Sequence, residues 1–258
     1  NASTAYISTH PMTSERMSDM QNRTRHMSPV THRDSMDFFL VKARARVLQE
    51  TTYDGWLKVS KSFENELKRH PAGYSLVATQ YGLSVAYAKM NQKDKALTAI
   101  RAAKAASKEN SVILDKHLAE LTYQVAKTQA QKDQALALAK STCNQYPYSG
   151  LAASNYVELL FQSGKHQELV DYLRNQSALS RSNPDYHMYL ARSYEALGKK
   201  SMAFAATGDM YALLDNPRAA VYQFELAQKA NDGDFYIMSE IDAKLREQRQ
   251  KVLDQKKD

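Results

Sequence analysis

The stretch RSYEALGKKSMAF, residues 192–204, decides the fold, because its pattern of large, turn-forming and small residues recurs along the chain. Three other segments align with it without gaps: VAYAKMNQKDKAL (85–97), ELLFQSGKHQELV (158–170) and DMYALLDNPRAAV (209–221). Recurrence of this kind indicates a supersecondary unit that is repeated and stacked along the chain.

Three columns of the alignment have distinct physical roles in a pair of packed helices. Large residues that can insert between neighbouring helices form the first column: Tyr87, Leu160, Tyr194 and Tyr211. Four residues later comes a turn column, where Gly or Asn can take a left-handed backbone conformation: Asn91, Gly164, Gly198 and Asp215. Five residues further on, a mostly small column lets two helices approach closely: Ala96, Leu169, Ala203 and Ala220. Together the columns predict a helix, a tight turn and a second helix.

The spacing of the small column indicates the kind of repeat. When Ala135 of the degenerate copy KDQALAL is included, the successive intervals are 39, 34, 34 and 17 residues. A helix–turn–helix period of 34 residues resembles the tetratricopeptide repeat. The longest interval predicts five extra residues in one copy. The interval of 17 predicts that the helix around residues 201–214 ends one unit and begins the next.

The flanks extend the helical pattern in both directions. The segments FLVKARARVL (39–48) and WLKVSKSFENELKRHP (56–71) predict a divergent first helix pair. Near the other end, Asp234 can cap a final helix, and the polar tail of that helix is expected to face solvent. We therefore predict an all-α fold, a tetratricopeptide-repeat superhelix of stacked antiparallel helix pairs preceded by a short N-terminal helical segment.

The amino-acid composition favours a helical protein and disfavours several classes of function. The 258 residues include only 8 Gly and 6 Pro, and no stretch approaches the roughly 20 apolar residues that span a bilayer. The net charge of +7 permits an acidic partner or peripheral contact with a membrane, but its dispersal disfavours nucleic-acid binding. The single cysteine, Cys143, excludes an intrachain disulfide and is predicted to be a buried side chain.

A superhelix of stacked pairs has a concave groove lined by the first helix of each pair, which usually holds another protein. The predicted groove residues lie one helical turn from the packing columns: Tyr81, Val85, Lys89, Ser154, Glu158, Phe161, Gln162, Met188, Arg192 and Glu195. For each of them, plain surface exposure or packing between repeats remains an alternative. A site that clamps the C-terminal carboxylate of a peptide is disfavoured. Such a site needs several converging donors, but the positions that correspond to Lys89 in later repeats are occupied by Gln162 and Ala196.

The opening stretch ISTHPMTSERMSDMQNRTRHM, residues 7–27, does not follow the repeat pattern. Its Ser8–Pro11 segment, STHP, followed by Arg16, resembles the end of the catalytic domain in a family of HExxH zinc metallopeptidases. Further on, Asp19, Asn22 and Arg23 look most like the periplasmic β-barrel assembly-enhancing, or BepA-like, branch. That branch joins a protease domain to C-terminal tetratricopeptide repeats. The block GDFYIMSEIDAKLREQ (233–248) is also similar to the ends of such proteins.

This resemblance implies a periplasmic protein that acts in outer-membrane protein assembly and quality control. Its implied partners are the outer-membrane assembly machinery or unfolded outer-membrane proteins. Zinc would belong to the full-length parent, and His10 would lie near the metal only in an intact parent.

The catalytic motif itself is missing from the sequence. The seven histidines are at positions 10, 26, 32, 70, 117, 166 and 187, so no two are four residues apart and no HExxH occurs. We therefore expect no enzymatic activity and no cofactor in this chain alone, whereas the full-length parent resembles a zinc metalloendopeptidase. Residues 1–36 are predicted to be the end of the metallopeptidase domain plus a linker, and residues 37–258 the repeat domain. The start without Met also favours a fragment.

Three functional hypotheses follow from these features. The first is the protein-interaction module of a periplasmic zinc metallopeptidase. The second is a free-standing tetratricopeptide scaffold or co-chaperone without an associated protease. The third, a basic helical-repeat protein that binds nucleic acid, has the least support because the charge is scattered.

Overall fold

A computed structural model describes residues 13–25, 34–176 and 182–255. Within these ranges the chain forms thirteen α-helices and no β-strand. They are α1 (Thr13–Thr24), α2 (Met36–Leu48), α3 (Tyr53–Leu67), α4 (Gly73–Lys89), α5 (Lys93–Ala106), α6 (Val112–Val125), α7 (Gln129–Gln145), α8 (Gly150–Gln162), α9 (His166–Asn175), α10 (Pro184–Ala196), α11 (Lys200–Leu213), α12 (Pro217–Ala230) and α13 (Phe235–Asp254). The prediction of an all-α fold is confirmed. None of these helices has both the length and the apolar character needed to cross a bilayer.

Contacts divide the chain into two units, Asn1–Ser35 and Met36–Asp258. The described part of the first unit is α1, whose apolar side chains Met17 and Met20 are exposed. The second unit contains α2 to α13, in which most helices pack on their neighbours in the sequence, whereas α2 packs mainly on α4.

The four predicted turn residues all have the left-handed backbone. Their φ angles are 59° at Asn91, 71° at Gly164, 75° at Gly198 and 53° at Asp215. The N–H group of the next residue donates to the carbonyl of the large-column residue four positions before the turn residue. These distances are 2.9 Å from Gln92 to Tyr87, 3.0 Å from Lys165 to Leu160, 2.9 Å from Lys199 to Tyr194 and 2.9 Å from Asn216 to Tyr211. This bond closes the first helix of each pair and reverses the chain.

The degenerate repeat that contains Ala135 differs from the others at the start of its second helix. Ala96, Leu169, Ala203 and Ala220 each lie three residues after the first residue of their helix, whereas Ala135 lies six residues after the start of α7. The extra three residues are nearly one helical turn. The α6–α7 connection also uses a capping box, in which Thr128 and Gln131 bond each other's backbone N–H groups, instead of a left-handed turn. These differences account for most of the five extra residues.

Helix α11 belongs to two successive helix pairs, as the interval of 17 residues predicts. It packs on α10 and on α12. A Cβ atom added to Gly208 of α11 would lie 2.8 Å from the Phe224 ring of α12, so α11 and α12 need a glycine where they cross. Asp232, which follows α12, accepts hydrogen bonds of 2.7 Å from the backbone N–H groups of Lys200 and Ser201 and so caps α11.

The predicted cap of the final helix is confirmed. The Asp234 side chain accepts a 2.9 Å bond from the Ile237 N–H and begins α13. Ile241 and Leu245 of α13 are buried against α12, and Met238 is half-buried.

Candidate functional site

A cleft with a volume of about 390 Å³ lies between α10, α11 and α12. Its apolar surface comes from Met188 and Ala191 of α10 together with Ala203, Phe204 and Met210 of α11. Polar and charged groups complete the lining: Arg192, Glu195, Lys200, Thr207 and Gln223. A volume of this size falls in the range of roughly 300–1,000 Å³ that is typical of ligand pockets.

Three predicted groove residues line this cleft. Met188 is half-buried, and Arg192 and Glu195 are exposed, one and two turns further along α10. Neither Arg192 nor Lys200 forms an ion pair with any residue that the structure describes. The cleft therefore combines an apolar surface with cations that are free to meet an incoming group.

The predicted groove residues of α8 form a separate polar surface. Ser154 donates to the Leu151 carbonyl at 3.1 Å, and Gln162 donates to Glu158 at 3.1 Å, so these side chains are satisfied within their own helix. Phe161 is half-buried between the rings of His166 and Tyr189, with centroid separations of 5.6 and 5.3 Å. It therefore helps to join α8 to α10.

Two residues predicted for the groove belong to the core instead. Tyr81 is 1% exposed and Val85 is 3% exposed. Helix α2 packs across this face of α4, where Arg44 donates to the Tyr81 hydroxyl at 3.4 Å, and His117 of α6 meets the Tyr81 ring edge-on. The expectation that Tyr81 and Val85 contact a partner is therefore wrong. Lys89, the last residue of α4, is exposed.

A buried Ser–His–Glu arrangement next to Tyr81 has the residue types of a hydrolase site but not its geometry. Ser84 has no exposed surface and donates its hydroxyl hydrogen to the Ala96 carbonyl at 2.7 Å. The His117 Nε2 atom, 3.1 Å away, must then donate to Ser84 rather than accept its proton. Burial opposes the charge on Glu120, but the His117 ring, 3.6 Å from its carboxylate, and the nearby Lys116 ammonium hold the pKa of Glu120 below its usual value. This network is structural.

Cys143 is buried as predicted. Burial raises the pKa of its thiol, and the Tyr172 hydroxyl lies 3.5 Å from the sulfur. A protonated and inaccessible thiol is a poor nucleophile.

The residues that carry the metallopeptidase resemblance are only partly described. Arg16 lies in the first turn of α1 and is exposed, whereas His10 and the rest of the STHP segment lie outside the described residues. Within residues 13–25, 34–176 and 182–255, no group of three or more His, Cys, Asp or Glu side chains is arranged to hold a metal ion. These described residues do not fit a zinc site.

No protein-family model matches the chain. The Beta-barrel assembly-enhancing protease of Escherichia coli (strain K12) is 24% identical over 213 residues, a match that covers 80% of this chain and 40% of that protein. The protein of the same name from Shigella flexneri matches with the same identity and coverage. The chain therefore spans about 40% of the length of the curated relatives it matches.

Solved structures of MamA share the fold. A MamA mutant has a TM-score of 0.50 at 17% identity, covering 70% of this chain and 93% of that one. The structure of MamA MSR-1 also has a TM-score of 0.50, at 16% identity, and covers 70% of this chain and 97% of that one. This similarity, the 34-residue period, the left-handed turns and the close helix pairs together establish the fold. It is a tetratricopeptide-repeat superhelix.

Sequence reasoning missed half of the cleft in this superhelix. Lys200, Phe204, Thr207 and Met210 lie on α11, which is the second helix of one pair and the first of the next, and the predicted groove took no residue from it. A signal was available, because KSMAFAATGDMYAL has apolar residues around its whole circumference, more than one packing face requires.

Proposed function

We propose that the repeat array is a protein-interaction module that binds a polypeptide segment in the cleft between α10, α11 and α12. The observation that carries this proposal is the joining of an apolar surface to two unpaired cations, Arg192 and Lys200, in one open cleft. Methionine adapts to differently shaped side chains, so Met188 and Met210 suit a site that accepts more than one sequence. A segment with apolar side chains and a nearby carboxylate would be complementary.

We further propose that the module belongs to a periplasmic zinc metallopeptidase that acts in outer-membrane protein assembly and quality control. The similarity to the Escherichia coli protease and the STHP segment with Arg16 support this. In this proposal the repeats recruit the assembly machinery or an unfolded outer-membrane protein, and zinc chemistry belongs to a protease domain in the parent. The alternative is a free-standing scaffold or co-chaperone that uses the same cleft.

Binding to an unfolded client tests the role of the cleft. The probe is a fluorescently labelled outer-membrane β-barrel protein, unfolded in urea and diluted into the purified chain, with anisotropy as the measurement. We expect M188E and R192E each to weaken binding at least tenfold, because one adds a charge to the apolar surface and the other reverses a rim cation. The matched control R101E reverses an exposed arginine on α5 and should change affinity less than twofold.

Two results would count against the cleft as the binding site. One is unchanged affinity in M188E and R192E while circular dichroism shows both variants folded. The other is an equal loss of affinity in R101E, which would indicate non-specific attraction to a basic protein. The proposed protease parent is tested separately: its reading frame should encode an HExxH segment on the N-terminal side of Asn1, and a frame without one would leave the scaffold alternative.

A further inference from the structure

A second cleft lies between α12 and α13 and shares no residue with the first. It has a volume of about 360 Å³ and is lined by Arg218 and Val221 of α12 and by Arg249, Val252 and Leu253 of α13. The two helices run antiparallel, since Glu225 pairs with Arg249 while Gln228 pairs with Asp242 nearer the other end. The cleft is therefore a groove between the first turns of α12 and the last turns of α13.

The groove is apolar and open. Leu253 is 52% exposed, and Val221 and Val252 are half-buried. Helix α11 packs on the other side of α12, through the residues around Phe224 and Ala227. In the part of the chain that the structure describes, no third helix covers the groove. Residues 246–255 are mostly exposed, as expected of the polar tail, but Val252 and Leu253 give this tail an apolar edge.

Two guanidinium groups border the apolar surface. Arg218 is exposed and has no ion-pair partner within the described ranges. Arg249 pairs with Glu225 at 2.8 Å, but both side chains are about half-exposed, so water competes with this pair and it is weak. A guanidinium has five N–H donors, and a single carboxylate leaves several of them available.

We propose that the α12–α13 groove binds an amphipathic helix of a partner protein, whose apolar stripe is bordered by Asp and Glu carboxylates. A groove between two antiparallel helices is the shape that accepts a third helix through its apolar face. Carboxylates beside that stripe would meet Arg218 and Arg249 in geometry suited to bidentate bonds. A second copy of this chain is a poor occupant, because two-fold pairing through this groove would bring the arginines of both copies together.

Two designed peptides of roughly 18 residues, about five helical turns, test the proposal. Both carry a leucine stripe; one has glutamates beside the stripe and the other has lysines at the same positions. Fluorescence anisotropy with the purified chain should show the glutamate peptide binding at least tenfold more tightly than the lysine peptide. L253D should abolish this binding, and R218E should reverse the preference between the peptides.

The control variant is K229E, which makes the same charge change at an exposed residue in the last turn of α12. Because the chain is basic overall, a loss in K229E as large as that in R218E would show non-specific attraction and overturn the proposal. So would equal binding of both peptides, or binding of neither. Self-association that L253D prevents would make a second copy the occupant and would also overturn it.

Discussion

At the scale of single residues, the chain reverses direction at positions where the left-handed backbone is tolerated. Asn91, Gly164, Gly198 and Asp215 all have a positive φ, and in each case the next N–H group closes the preceding helix. Glycine has no Cβ to clash in this region, and Asn and Asp tolerate it better than other residues. The residue type at these four positions therefore determines where one helix ends and the next begins.

Gly198 allows the cost of this conformation to be measured. A Cβ atom added at Gly198 or at Gly150 would meet nothing within 4 Å, but only Gly198 has a left-handed φ, of 75°. We expect G198A to lower the free energy of unfolding by about 1 kcal/mol, because alanine is strained there. In G150A the free energy should stay level or rise by up to about 1 kcal/mol, because alanine restricts the unfolded chain. Urea denaturation measures both, and equal effects would contradict the role of φ.

At the scale of helices, α11 shows how one element can serve two packing units. Its face around Met202 and Ala206 joins the core that α10 shares with α8 and α9, and Gly208 faces Phe224 of α12. The Asp232 carboxylate caps its N-terminus, and the Ser201 hydroxyl in its first turn donates to the Ala227 carbonyl near the end of α12 at 2.9 Å. Helix α11 is thus stabilised by contacts with both of its neighbours.

The Asp232 cap should make stability depend on pH. The hydrogen bond with Ser201 and the backbone N–H groups of α11 lower the pKa of Asp232 from its ordinary value of 3.8. A lowered folded-state pKa means that the stabilisation is fully present above pH 3.8 and is lost as the pH falls through the folded-state pKa. We therefore expect D232A to cost about 1 kcal/mol at neutral pH and clearly less near pH 3.

A matched variant at the same position separates the charge from the hydrogen bond. D232N keeps one acceptor oxygen but cannot titrate, so its stability relative to D232A should not change with pH. Urea denaturation at several pH values measures the differences. A gap between the native protein and D232A that stays constant between pH 7 and pH 3 would contradict the proposed cap.

At the scale of the whole second unit, the core is a chain of three hydrophobic clusters. The first joins α2 to α6, the second joins α6 to α11, and the third joins α12 and α13 with part of α11. The third cluster is the smallest, with five buried residues. In such an array each cluster depends mainly on its neighbours, so damage should stay local.

Hydrogen exchange can test this local dependence. L245A removes a buried side chain from the third cluster and should cost about 2–5 kcal/mol, with lost protection concentrated in residues 217–254. I100A makes the equivalent change in the first cluster and should expose residues 73–106 instead. Mass spectrometry of amide exchange in both variants measures the pattern. Uniform loss of protection across the unit in either variant would show that the array unfolds as one body.

The sequence by itself determined the helices, their turns and the repeat, because these depend on residues that are close along the chain. The turn residues, the capping Asp234 and the double use of α11 could all be predicted from local pattern and spacing. The surface left open for a partner could not, because it depends on which distant helices pack over a face. Tyr81 is covered by Arg44, 37 residues before it, and the cleft lined by Arg192 combines residues of α10, α11 and α12. Only the tertiary structure decides such contacts, since no short stretch of sequence contains both partners.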